Sequence, residues 1–140
     1  MKDRESYRKE NCPLLLRVFY SENRKNTVND YNKRLPINEL QIHTWNDATL
    51  KEMASLIKRI NPTARKKGTM INFSLVWPDH RQPLFRMRDI GSVCTGSPAD
   101  TDNIMLKDCK FIIGDYLDVY ICQPGSRNNN DSRSFNNSRN

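Results

Sequence analysis

The sequence predicts an α+β fold, a mixed sheet of about five short strands with one main helix packed across one face. Three observations lead there. One long stretch, Thr44 to Pro62, has an unambiguous helical period. The other apolar runs are short and rich in β-branched and aromatic residues. The helix follows the second of those runs, with only short connections after it. An amphipathic helix of about four turns cannot bury its own apolar stripe, so the flanking strands must supply the surface it lies on.

Residues 1–10 mix both charge signs without a period and are expected to form a charged, flexible tail that does not pack. Pro13 opens a strand from Leu14 to Tyr20. Leu14, Leu16, Val18 and Tyr20 share one face, and Leu15 and Phe19 on the other argue for an interior position. Ser21 to Pro36 is polar, punctuated by Asn23, Asn26, Asn29 and Asn32, and reads as a long connection. Alternation resumes from Glu39 to Trp45 through Leu40 and Ile42, giving a second strand that feeds the helix.

In the helix, Leu50, Met53, Ile57 and Ile60 fall on one side and Lys51, Glu52, Ser55, Lys58 and Arg59 on the other. Either Asp47, or Thr49 with Glu52, caps its start; Pro62 stops it by disfavouring helical geometry at Asn61. A basic turn, Arg65-Lys66-Lys67-Gly68, leads to the clearest strand, Met70 to Trp77. There Ile71, Phe73, Leu75 and Trp77 oppose Asn72 and Ser74. After a polar turn at Pro78 to Pro83, Leu84 to Ile90 completes a hairpin, with Phe85 and Met87 opposite Arg86 and Arg88. Gly91 to Asn103 is expected to be a mobile surface loop, and Ile104 to Leu106 a short apolar element. Gly114 and Asp115 form the turn into a last strand whose inner face carries Leu117, Val119 and Ile121. The Asn- and Ser-rich residues 123–140 are expected to be disordered. One domain, residues 11–122, therefore lies between two tails.

The chain of 140 residues has no apolar run near the roughly 20 residues that span a bilayer, and its first ten residues are charged where a signal peptide is apolar, so a soluble intracellular protein is expected. Cys12, Cys94, Cys109 and Cys122 are scattered without a CxxC pair, which argues against a zinc site and for small buried free thiols. The net charge of +7 is concentrated: residues 51–88 hold nine basic and two acidic side chains, and the remainder balances. An acidic or polyanionic partner would be drawn to one side of the fold.

No reactive constellation is visible. His43 lies within a strand and His80 in a polar turn, neither in a catalytic signature. Asp115 and Asp118 have opposite strand parity and make a poor carboxylate pair. The chain is therefore read as non-enzymatic, with no cofactor or metal. Lys58, Arg59, Arg65, Lys66 and Lys67, extended by Arg86 and Arg88 if their strand face is exposed, form a candidate protein- or anion-binding patch. The alternative is a nucleic-acid-binding module acting through Lys58 to Lys67. Against it, Phe73 and Phe85 are read as core residues and do not interleave with the basic ones. Trp45 and Trp77 are read as core or its lid, an exposed one being a candidate binding hot spot.

Four segments carry a family resemblance. Cys-Pro-Leu-Leu-Leu-Arg-Val-Phe at 12–19, Glu-Leu-Gln-Ile-His-Thr-Trp-Asn-Asp-Ala-Thr-Leu-Lys-Glu at 39–52, Ala-Arg-Lys-Lys-Gly-Thr at 64–69 and Phe-Ile-Ile-Gly-Asp-Tyr-Leu-Asp-Val at 111–119 closely resemble the eighteen-kilodalton Sin-three-associated polypeptide family. The match is in register over about residues 11 to 121, and departs from the family between Tyr20 and Ile37 and after Gln123. The resemblance implies a ubiquitin-like β-grasp fold and no enzymatic activity. It also implies a nuclear adaptor, present also in the cytoplasm, that joins histone deacetylase corepressor complexes and exon-junction-associated splicing complexes. The implied partners are the Sin-three/histone deacetylase complex, Acinus- or Pinin-type proteins and a serine-rich RNA-binding splicing protein, with no direct nucleic acid and no membrane. Conjugation as a modifier is not expected, because the chain ends Ser-Arg-Asn without a Gly-Gly.

Overall fold

The computed structural model describes residues 4–125. In chain order the elements are α1 (Arg4–Glu10), β1 (Leu14–Ser21), α2 (Val28–Lys33), β2 (Glu39–Thr44), α3 (Leu50–Ile60), β3 (Met70–Pro78), β4 (Phe85–Cys94) and β5 (Tyr116–Cys122), with 3₁₀ turns at Pro62–Arg65, Asp100–Asn103 and Leu106–Cys109. The strands form one sheet in the order β2-β1-β5-β3-β4. The β1–β5 pair is parallel and every other pair antiparallel. A mixed sheet in this order, with α3 across one face, is the ubiquitin-like β-grasp.

Strand parity creates the two faces. Val18 lies beside Leu117, Tyr20 beside Val119, and Leu117 and Val119 in turn beside Leu75 and Phe73. These residues meet the stripe of α3, so that Leu50, Met53, Ala54 and Ile57 close the main core with Leu16, Ile71 and Ile121. Thr49 is the N-cap of α3, its hydroxyl accepting from Glu52 N–H at 3.1 Å. Of the four residues expected on the stripe, Ile60 stays outside at 43% exposure, because the helix ends there and the chain turns away at Pro62.

The opposite face carries a second cluster of Phe19, Tyr31 and Val76, with Leu35, Phe85, Met87 and Tyr116 packed against it. Phe19 meets Tyr31 and Tyr116 edge-on, with centroids 5.8 and 5.2 Å apart. This cluster corrects the reading of Ser21 to Pro36 as a plain connection. The segment contains α2, opened by Thr27, whose hydroxyl accepts from Asp30 N–H while the Asp30 carboxylate accepts from Thr27 N–H. Thr27 and Asp30 have capping spacing, a signal the asparagines obscured.

Three further expectations are corrected. Residues 4–10 form α1 and pack: Arg8 reaches Asp47 and Glu52, contacts too distant in sequence to be read from composition. The start of the expected loop at Gly91 is strand instead, since β4 runs on to Cys94 after a register shift beside Phe73 and Ser74. Gly91, at φ +147, admits Leu50 so closely that a Cβ there would lie 2.9 Å from Leu50 Cδ1. The cysteines are free, but none is fully buried: Cys12 is exposed and the other three are half-buried. The disorder expected of the tail falls, from residue 126 on, outside the described residues. No helix among the described residues is long and apolar enough to cross a membrane.

Candidate docking surfaces

The structure divides the predicted patch in two. Lys58, Arg59, Arg65, Lys66 and Lys67 gather where α3 ends and β3 begins. Arg65 is already committed there: its guanidinium donates to the Lys58 carbonyl at 2.6 Å and to the Arg59 carbonyl at 3.1 Å, closing the C-terminus of α3. Basic side chains at that end also meet the negative pole of the helix dipole. Lys67 lays its stem along the turn at Gly96, where an added Cβ would come within 2.8 Å of Lys67 Cγ. Lys66 is exposed and Lys58 is half-buried.

Arg86 and Arg88 lie at the other end of the β3–β4 hairpin. They pair with Trp77 and Leu75, whereas Met70, next to the basic turn, pairs with Cys94. Five to seven residues of strand separate the groups, roughly 20 Å at about 3.3 Å per residue. They therefore do not extend one patch. Both arginines are exposed, on the face that carries α3. Arg86 pairs with Asp79 at 3.0 Å, and the Asp79 carboxyl is held below its usual range by the Arg81 backbone N–H and by Arg86. Arg88 lies over the half-buried Trp77 ring at 5.4 Å and donates to the Cys109 carbonyl.

This second group borders a groove of about 990 Å³ between α2 and the free side of β4, lined among others by Asn29, Asn32, Trp77, Phe85 and Met87. Beside it, Leu84 is 46% exposed. β4 is an edge strand, so the groove runs along an unpaired length of backbone.

Deeper on the same side of the sheet lies Asp118, which sequence reading placed only by parity. It is fully buried and accepts from Tyr31 Oη at 2.6 Å and Asn26 Nδ2 at 3.0 Å. Burial pushes both the Asp118 carboxyl and the Tyr31 phenol up. Next to it, Ser74 Oγ donates to Asp89 at 2.6 Å, and Lys25 reaches both Ser74 and Asp89. This network fastens the 25–31 segment to the sheet. At the opposite edge, Arg8 donates to Asp47 and Glu52 and covers the Trp45 ring at 4.8 Å. Asp47 is thus a partner of Arg8 and not the cap of α3.

His43 and His80 are exposed, on a strand and in a turn. Asp115 turns back to accept from Ile112 N–H at 3.0 Å, away from Asp118. Among the described residues no group of three or more His, Cys, Asp or Glu is placed to hold a metal ion. The arrangement thus presents two separate cationic corners, a groove of mixed polar and apolar lining and an open sheet edge.

Comparison with known proteins locates this frame in a family. The family described as Sin3 associated polypeptide p18 matches residues 6–121. Histone deacetylase complex subunit SAP18 of Drosophila melanogaster is 49% identical over 118 residues, covering 84% of this chain and 79% of that protein. The probable histone deacetylase complex subunit SAP18 of Caenorhabditis elegans is 43% identical over 139 residues, covering 96% and 81%. The subunit of that name in Homo sapiens is 47% identical over 119 residues, covering 84% and 78%. Among solved structures, the C-terminal ubiquitin-like domain of mouse tubulin-specific chaperone e is similar at a TM-score of 0.43 and 13% identity, covering 84% of this chain and 92% of that one.

Proposed function

This chain belongs to the Sin3 associated polypeptide p18 family, and on that premise we propose that it is a non-catalytic adaptor subunit of a histone deacetylase corepressor complex in the nucleus. The observation that carries the reading is the family match across residues 6–121, which takes in α3 and all of the sheet but Cys122, together with 43–49% identity to histone deacetylase complex subunits. Its work is to hold other polypeptides. The interaction domain is residues 11–122, and α1 braces it from outside through Arg8. Binding energy comes from apolar and backbone contacts on a preformed surface, while Lys58, Arg59, Lys66 and Lys67 at one corner and Arg86 and Arg88 at the other steer association.

The finer part of the proposal is the set of partners. The adaptor bridges the Sin3/histone deacetylase assembly to exon-junction-associated splicing complexes by binding Acinus- or Pinin-type proteins together with a serine-rich RNA-binding splicing protein. A pull-down of the full chain with an Acinus-type peptide tests this: saturable capture at micromolar concentration is expected, and none at that concentration removes the bridge.

The gathering of five basic residues at the end of α3 supports a second reading, direct nucleic-acid binding through Lys58 to Lys67. Titrating RNA affinity against salt separates the two. The adaptor reading expects weak binding with a shallow log-log slope, and a steep slope at sub-micromolar affinity favours the nucleic-acid module.

A further inference from the structure

We propose that the β4 edge is a docking site for an extended, acidic segment of a partner protein, which adds to the sheet as a sixth strand between α2 and β4. This rests on the adaptor reading and names the surface and the partner chemistry it uses.

The hydrogen-bond pattern of the hairpin fixes which groups are free. Asp79 N–H donates to the Leu84 carbonyl at 2.8 Å, so that pair faces inward, and alternation then turns the N–H and C=O of Phe85, Met87 and Asp89 away from β3. Phe85 N–H, pointing outward as required, is taken by Asn32 Oδ1 at 2.6 Å. Among the described residues nothing caps the outward N–H groups of Met87 and Asp89 in this way, and both residues line the groove of about 990 Å³. A strand laid there gains main-chain hydrogen bonds from the edge and side-chain pockets on alternate sides, the mode in which sheets capture extended peptides.

Charge decides the occupant. Residues in register share a face, so Arg86 and Arg88 would stand opposite every second side chain of the incoming strand. A second copy of this chain is disfavoured. Antiparallel self-pairing that satisfies Met87 and Asp89 sets outward residues against outward residues, and so brings Arg86 or Arg88 opposite an arginine of the other copy. Like charges directly opposite are destabilising. Glutamate or aspartate at those positions is complementary, and Arg86 remains available, its side chain 63% exposed despite its pairing with Asp79. The other edge, β2, offers Glu39, Gln41 and His43 on one face and Leu40 and Ile42 on the other, without a basic pair. Intervening residues of the ligand, on the far face, meet Phe85 and Met87 and are expected to be apolar.

The test uses the full chain and a capped decapeptide of alternating glutamate and valine, followed by amide NMR. The expected result is saturable binding with shifts centred on Met87 and Asp89 and slowed exchange of their amides. Binding should weaken at least tenfold for a lysine-valine peptide, and at least tenfold for Met87→Pro, which removes an outward N–H at an edge position where proline is tolerated. A glutamate-valine peptide N-methylated along its pairing edge leaves the protein untouched and should lose binding equally, so the test survives a proline variant that does not fold. Absence of saturable binding, shifts confined to β2 or the Arg65–Lys67 turn, or full binding by the N-methylated peptide overturns the proposal. If the Acinus-type peptide is captured equally by Met87→Pro, the edge site falls while the adaptor reading stands. If that peptide fails to bind while the acidic decapeptide docks on β4, the bridge falls and the edge site stands.

Discussion

Asp118 has no exposed surface, and the two groups that donate to it, Tyr31 Oη and Asn26 Nδ2, come from 87 and 92 residues earlier in the chain. Asp118→Ala leaves the buried Tyr31 hydroxyl without an acceptor and frees the half-buried Asn26 amide, and is expected to destabilise the fold by about 2–3 kcal/mol, read as a lowered denaturant midpoint. Asp118→Asn keeps an acceptor and should cost less. The pH dependence isolates the cost of burying the charge. Burial raises the folded pKa of Asp118 above its ordinary 3.8, with Tyr31, Asn26 and Lys25 opposing the shift and Asp89 adding to it. Its contribution is therefore fully present below pH 3.8 and is lost as pH rises through the folded value. Relative to wild type, Asp118→Asn should gain stability as pH rises from 3 toward neutrality; a difference that stays flat would contradict the assignment. Parity placed Asp118 on the face away from Leu117 and Val119. Its partners could not be read, because nothing local in Asn26 or Tyr31 signals a contact so far along the chain.

At the scale of elements, the strands and α3 were legible because each buries a stripe with its own period, and Thr49 with Glu52 marks the helix start. The short helices were not. α1 has no apolar stripe and stays in place through Arg8, which bonds both Asp47 and Glu52. Replacing Arg8 with Ala should cost about 1 kcal/mol, because the cluster is only partly shielded from water, and should speed amide exchange in residues 7–10 while leaving β5 protected. The far half of β4 was hidden by Gly91, a residue that reads as a break yet serves a close approach. Gly91→Ala would force a Cβ to 2.9 Å from Leu50 Cδ1 at a φ of +147, and is expected to destabilise by about 1–3 kcal/mol. A thermal melt unchanged from wild type would show that α3 has room to move.

For the molecule as a whole, the sequence located the excess positive charge but not its division. Arg86 and Arg88 follow the basic turn by some twenty residues in sequence, and only the register of the β3–β4 hairpin shows that they lie at its far end. Each corner should therefore steer a different partner: Lys66→Glu with Lys67→Glu should slow association at one and leave the β4 edge unaffected, as stopped-flow rates at low salt would report. If this protein holds deacetylase partners together and performs no chemistry itself, purifying the tagged full chain from nuclei and assaying histone deacetylase activity in the eluate will show it. Deacetylase activity is expected to accompany the chain and to be absent from the chain expressed alone. An eluate free of deacetylase, or turnover of acetylated histone by the isolated chain, would contradict it.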